Sequence, residues 1–390
     1  MKKPAVLALI LAAIVTGCQA PDKPATGGFQ VMAYFYPRSD DFDPDTLQLD
    51  RLTHIIFSFT EVIDNEMKLR DEARGLLLRK LAEQKEKYPG LKVMIACGGW
   101  GGSGGFSEMA RTKKSRRVFV QSAVRFIEDY TLDGLDIDWE YPGQPGAGNP
   151  YIPEDRENFT ALMRELRKAM DRTGREQTLT FAAGASQNFF SHIELGKVMK
   201  QVDYVNMMTY DFAGGGDRYT SHHTNLGTVT GKDIEGTPAA ETLMERRDST
   251  WPSSATEIIE FCVDMGVQPS QIVIGAAFYG KGWRGVPPEN NGLYQPVREA
   301  WTGNGRYYAL QSNYIDKNGF TRYWDETAEA PYLYNPADSI FITYEDTVSA
   351  RLKTEYAIRN QLGGIMFWEL GGDVSDRGLL AAIHAATEKQ

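Results

Sequence analysis

Residues 131–142 read Thr-Leu-Asp-Gly-Leu-Asp-Ile-Asp-Trp-Glu-Tyr-Pro, and three carboxyl side chains recur in it at every second position. In an extended chain that spacing sends Asp136, Asp138 and Glu140 to one face and Leu135, Ile137 and Trp139 to the other. A strand that wets its acidic face would show the same alternation. Folding alone gives no reason to stack three acids, because acidic residues are poor strand formers and like charges at short range destabilise a sheet. Carboxyl groups separated by about 6 to 7 Å per two-residue step raise one another's pKa. A carboxyl group held protonated near neutral pH in this way can act as a general acid.

Such a strand needs neighbours to hold it. Residues 31–36, ended by Pro37, read as a first strand, and residues 53–60 as a second whose Ile55, Ile56, Phe57 and Phe59 are nearly continuous. Continuous apolar runs suit strands covered on both faces. Residues 75–87 carry helix formers stopped by Pro89-Gly90, and residues 92–97 follow as a third strand. Ser115 is placed to cap a helix whose Phe119, Ser122 and Phe126 face inward, and the acidic stretch then comes fourth. Helical spacing returns through Phe159, Leu162, Met163 and Leu166, and again near residues 255–265. Residues 178–184, 203–209, 271–278 and 363–368 give the fifth to eighth strands.

Eight strands alternating with helices predict an α/β fold, an eightfold (β/α) TIM barrel with its active site at the carboxyl ends of the strands, where Glu140 falls. A doubly wound open sheet is disfavoured, since no glycine-rich phosphate loop opens the first strand-helix unit. Residues 283–338 break the rhythm with short Tyr- and Trp-rich pieces, the turn Lys317-Asn318-Gly319 and no helical period. They predict a small insertion domain of α+β class after the seventh strand. The barrel is then expected in two parts, 29–282 and 339–390.

The net charge of −10 argues against nucleic acid or an anionic membrane surface as a partner, since both require basic patches. A neutral polymer is allowed. Lys2, Lys3 and the apolar run 5–15 read as an export signal spanning 1–17, too short to cross a bilayer. The ending Val15-Thr16-Gly17-Cys18 resembles a bacterial lipobox, which implies acylation of Cys18, and residues 18–28 would then form a tether. An outer-membrane or cell-surface lipoprotein is expected, otherwise a periplasmic or extracellular protein, touching membrane only through its lipid. Cys97 and Cys262 are far apart in apolar settings and read as small buried side chains. No metal-ligand spacing is visible.

Asp133-x-x-Asp136-x-Asp138-x-Glu140, followed by Tyr141-Pro142, resembles the signature of glycoside hydrolase family 18, the chitinases and their relatives. Gly98-Gly99-Trp100, Met208-Thr209-Tyr210-Asp211, Phe278-Tyr279-Gly280 and Met366-Phe367-Trp368-Glu369 resemble further family motifs, in order, at the expected strand ends. The resemblance implies that Glu140 is the proton donor, that Asp138 orients the substrate amide with Asp136 and Asp133 supporting it, and that Tyr210 bonds the acetamido oxygen. It implies Trp368 as the floor under the reacting sugar, with Tyr34, Phe59, Met208, Asp211, Tyr141 and Tyr279 around it and Trp100, after Gly98 and Gly99, under the leaving sugar. Two departures stand out. Ala96 occupies a position where the family commonly has serine, and the loop Phe212-Ala213-Gly214-Gly215-Gly216 lacks a tryptophan that some relatives carry.

The resemblance implies a retaining, substrate-assisted chitinase acting on chitin or chitooligosaccharides as a monomer, without metal or organic cofactor. The alternatives are an endo-β-N-acetylglucosaminidase on glycoproteins and a non-catalytic chitin-binding lectin; the presence of Glu140 weighs against the lectin.

Overall fold

The computed structural model describes residues 28–38, 43–240 and 254–388; Cys18 and residues 1–17 lie outside them. Eight parallel strands form the barrel: β1 (Gln30–Phe35), β2 (His54–Ile63), β3 (Lys92–Gly98), β4 (Gly134–Asp138), β5 (Thr178–Gly184), β6 (Tyr204–Met208), β7 (Ile272–Ala277) and β8 (Gly364–Trp368). Each pairs with its neighbour in the chain order of the barrel strands, and β8 pairs with β1 to close the ring.

The period of two decides which side chains face where. Val31, Ala33 and Phe35 of β1 point outward into the large core shared with the helices, while Met32 and Tyr34 point into the barrel. The interior is filled by a small plug containing Ile56, Met94, Tyr204, Val273 and Met366, on which Phe59, Met208, Tyr210 and Trp368 rest. Each fully buried apolar side chain of this size contributes about 1.5 to 3 kcal/mol. The aromatic rim is therefore carried on a rigid base.

Several local expectations are corrected. The helix before β4, Lys113–Asp129, is capped by Thr112, and Ser115 is its reciprocal partner three residues on in a capping box. Phe119 and Ser122 are buried as expected, whereas Phe126 is only half-buried. Strand β2 runs past residue 60 to Ile63 and turns back through Asp64 and Asn65 into Glu66–Lys68. Both turn residues have positive φ, which short polar side chains tolerate and apolar periodicity does not reveal. Cys97 and Cys262 are buried and unpaired.

Between β7 and β8 the strands Glu299–Ala300, Lys281–Arg284, Ile340–Thr343, Ala330–Asn335 and Thr321–Asp325 form, in that spatial order, a five-stranded antiparallel sheet. Its own core packs Trp283, Tyr332, Tyr334 and Phe341. The sheet begins before residue 283 and ends after 338. It is accompanied by a helix, Tyr307–Asn313, that is too short for its period to show in the sequence.

Candidate active site

Strand β4 sorts its side chains as the alternation dictates, but the acidic face meets the barrel interior. Leu135, Ile137 and Trp139 are buried in the outer core, where Trp139 stacks on Phe106 at 5.2 Å. Asp136, Asp138 and Glu140 climb the inside of the barrel with 0%, 5% and 8% exposure. Among the described residues none of the three has an ion-pair partner.

Asp136 lies level with Ala96 on β3 and Thr180 on β5. Its carboxylate accepts from the Tyr34 hydroxyl at 2.9 Å, the Thr180 hydroxyl at 2.5 Å and the Asn206 amide at 3.2 Å. Three donors therefore surround it although residue 96 offers none. Burial pushes the Asp136 pKa up to about 6, against the pull of these hydrogen bonds. Asp138, one step higher, is pushed well above its ordinary range by burial first and by the charges of Glu140 and Asp136 second. Its Oδ1 is buried without a hydrogen-bond partner. Glu140 lies two residues beyond the end of β4, and burial raises it to about 7, opposed by the Tyr141 phenol and reinforced by the charge of Asp211. Exclusion from water is thus the larger cause and like-charge crowding the smaller.

Above this ladder opens a cleft of about 1020 Å³. Its lining includes Tyr34, Phe59, Gly98, Gly99, Trp100, Asp138, Glu140, Tyr141, Met208, Tyr210, Asp211, Tyr279 and Trp368, with Asp136 just beneath. Trp368 is stacked on Phe59 at 5.5 Å and tilted against Tyr34 at 6.0 Å. Trp100 stands 58% exposed at the mouth, edge-on to Tyr141 at 6.2 Å. Gly98 and Gly99 have φ of +114° and +82°, and a Cβ on Gly98 would lie 2.1 Å from the Asp138 carbonyl. Only glycine lets β3 pass so close to the acidic strand.

The opposite wall is built after β6 and β7. The Tyr210 phenol approaches the Met366 sulfur at 3.9 Å, and burial together with the charges of Asp138 and Asp211 raises its pKa, so it remains a proton donor. Asp211 sits at positive φ with its side chain half exposed. It accepts from Tyr279 at 2.6 Å and pairs with Lys281 at 2.7 Å, with His223 at 3.7 Å. Partial burial raises Asp211, but His223 and Lys281 outweigh it and hold the group below the usual carboxylate range. Behind this wall Lys353 and Glu345, both fully buried, pair at 2.8 Å, and the Lys353 ammonium also donates to Thr224 at 2.6 Å.

Asp133 is a correction. Its carboxylate accepts from the Val93 N–H at 2.8 Å and pairs with Lys85 at 3.0 Å, at the amino end of β4 and the opposite end of the barrel from Asp138. It pins the strand's start and gives Asp138 no support. Sequence reasoning also missed Tyr36, Glu61, Arg70, Arg74, Gln144 and Lys281 in the cleft lining. Lys281 and Glu61 had a signal, each two residues beyond an expected cleft aromatic, Tyr279 and Phe59, on the same extended run; Tyr36, Arg70, Arg74 and Gln144 come from loops and a helix start.

The family model described as Glycosyl hydrolases family 18 matches residues 30–373. Chitinase A1 of Niallia circulans is 39% identical over 307 residues, covering 76% of this chain and 42% of that protein. Chitinase B of Serratia marcescens is 30% identical over 383 residues, covering 85% of this chain and 75% of that one. This chain thus spans less than half the length of the first relative. Among solved structures, the glycoside hydrolase family 18 N-acetylglucosaminidase from Paenibacillus barengoltzii is similar at a TM-score of 0.80 and 38% identity, covering 92% of this chain and 100% of that one.

Proposed function

The chain belongs to glycosyl hydrolase family 18, and from that premise we propose that it is a chitinase that hydrolyses β-1,4-linked N-acetylglucosamine in chitin and chitooligosaccharides, with retention of configuration. The observation that carries this reading is Asp138: a buried carboxyl oxygen without a partner, beside an acid at the neutral-pH boundary and under an aromatic rim. A cleft that strips water from an acceptor needs a substrate donor to replace it. The N–H of a 2-acetamido group supplies one.

Glu140 donates its proton to the glycosidic oxygen as the bond to C1 breaks. The acetamido carbonyl oxygen attacks C1 from the other face and closes an oxazolinium ring, while Asp138 accepts the amide N–H and Tyr210 donates to the oxygen. Water then opens the ring, giving its proton to the Glu140 carboxylate and restoring the acid. Asp211 is a poor candidate for a protein nucleophile, since Lys281 and Tyr279 already hold its carboxylate. Trp368 carries the reacting sugar, Trp100 the leaving one, and the antiparallel insertion sheet walls the groove through Lys281. The protein acts as a monomer without a cofactor, after export and lipid attachment at Cys18, on the outer membrane or cell surface.

The test compares release of one phenol from its chitobioside and its cellobioside. Rapid release from the first and almost none from the second supports an N-acetyl nucleophile; comparable rates contradict it. The likeness to an N-acetylglucosaminidase along its whole length favours a second reading, release of single sugars from chain ends. Product chromatography on chitopentaose separates the two, because this second mode yields monomer first.

A further inference from the structure

Two side chains outside the acidic ladder grip the peptide of Glu140 from both sides. Ser103, fully buried after β3, accepts the Glu140 N–H at 2.9 Å, and its hydroxyl lies 3.0 Å from the Asp138 carbonyl and 2.9 Å from the Gly99 carbonyl. Asn149, half-buried on the loop after β4, donates from its Nδ2 to the Glu140 carbonyl at 3.1 Å and to the Trp100 carbonyl at 3.0 Å. Both of its neighbours are pure acceptors, so the NH2 end of the amide must face them, and its two protons serve one carbonyl each. The Gly99 N–H adds a bond to the Asp138 carbonyl at 2.8 Å.

The exposed Trp100 ring has little packing of its own to hold it. Besides its edge contact with Tyr141, the residue is tied to the Glu140 peptide through its main-chain carbonyl, by way of Asn149. A sugar stacked on that ring presents its glycosidic oxygen to the acid, and a sugar alkoxide leaves poorly unless protonated as the bond breaks. An acidic phenol leaves with little help and needs no stacking platform.

We propose that Asn149, with Ser103 beneath it, is a positioning residue that locks the Trp100 platform to the Glu140 acid, and so sets how efficiently the enzyme cleaves in front of a sugar leaving group. The inference rests on the functional reading above. Asn149 touches neither the reacting atoms nor the Glu140 carboxyl group, so its effect depends on what leaves.

The experiment measures kcat/KM of the full chain and its variants on chitotriose and on the chitobioside of an acidic phenol, with melting temperature recorded in parallel. Asn149→Ala is expected to lower the chitotriose value about tenfold while the phenol substrate stays within about twofold, since misplacement costs rate only where both groups must meet one oxygen. Asn149→Asp keeps the shape but sets a charged acceptor against two carbonyls, and is expected to lower the chitotriose value further. A ratio between substrates that does not move, or an Asp variant better than the Ala variant, overturns the proposal. Wild-type protein that turns over neither substrate overturns the functional reading itself.

Discussion

On the β4 wall three carboxyl groups stand one above another with no cation among the described residues to pair them, while across the cleft Asp211 and the deeper Glu345 each face a lysine. On the first wall burial wins, and Asp136 and Glu140 rise to about 6 and about 7. On the second, Lys281 and His223 reverse the effect of burial on Asp211. One cleft thus keeps a proton on one side and a fixed negative charge on the other. Burial acts on both walls, and a cation within hydrogen-bond reach decides whether it prevails.

The largest break in this contrast comes from Glu140→Gln, which removes the proton without changing volume. It should lower turnover of sugar-linked substrates by about 10² to 10⁴-fold with melting temperature unchanged. Steady-state kinetics on chitotriose decide it, and a variant with wild-type rates moves the acid elsewhere. Next is Lys353→Met, which turns a paired wall into an unpaired one. Leaving Glu345 buried alone should cost about 3 to 5 kcal/mol in denaturant unfolding, and adding Glu345→Gln should return much of it. Equal stability of the single and double variants would contradict a coupled pair.

Asp138→Asn relieves the ladder of one charge. In the proposed mechanism Glu140 must be protonated to act, so the rate should fall as pH rises through about 7. The charge of Glu140 raises Asp138 and this effect is mutual, so without an ionisable group at position 138 the Glu140 proton should be lost more readily. The basic limb of kcat/KM should then move to lower pH, beside a large fall in rate from losing the proposed amide acceptor. A limb that stays in place would show that the two groups do not share a field. Smallest is Lys281→Met. Without its ammonium the negative charge of Asp211 is less compensated, so the basic limb should move modestly upward. Movement downward would mean that Asp211 loses its charge in the variant.

How much of this was legible in the sequence depended on which residues follow a period. The alternation of β4 separates Trp139 from Glu140, and the nearly continuous run in β2 shows a strand covered on both faces. The motifs at strand ends supplied the cleft residues from Gly98 to Trp368, and the family resemblance added Tyr34 and Phe59. Residues held by long-range pairing were not legible. Lys353 sits in mid-helix, where a lysine ordinarily reads as solvated, and only the fold buries it against Glu345. Asp133 shares the acidic motif with Asp136 and Asp138, yet the rise along the strand carries it to the far end of the barrel. Ser103 and Asn149 lie on loops whose paths no periodicity predicts.

The most direct measurement is the titration of Glu140 itself, followed by carboxyl ¹³C resonances of glutamate-labelled protein and assigned by difference against Glu140→Gln. A midpoint near 7 is expected for a buried acid without a cation. A midpoint in the ordinary glutamate range, about 4.3, would mean that the group is ionised at neutral pH and that the β4 wall holds no proton to give.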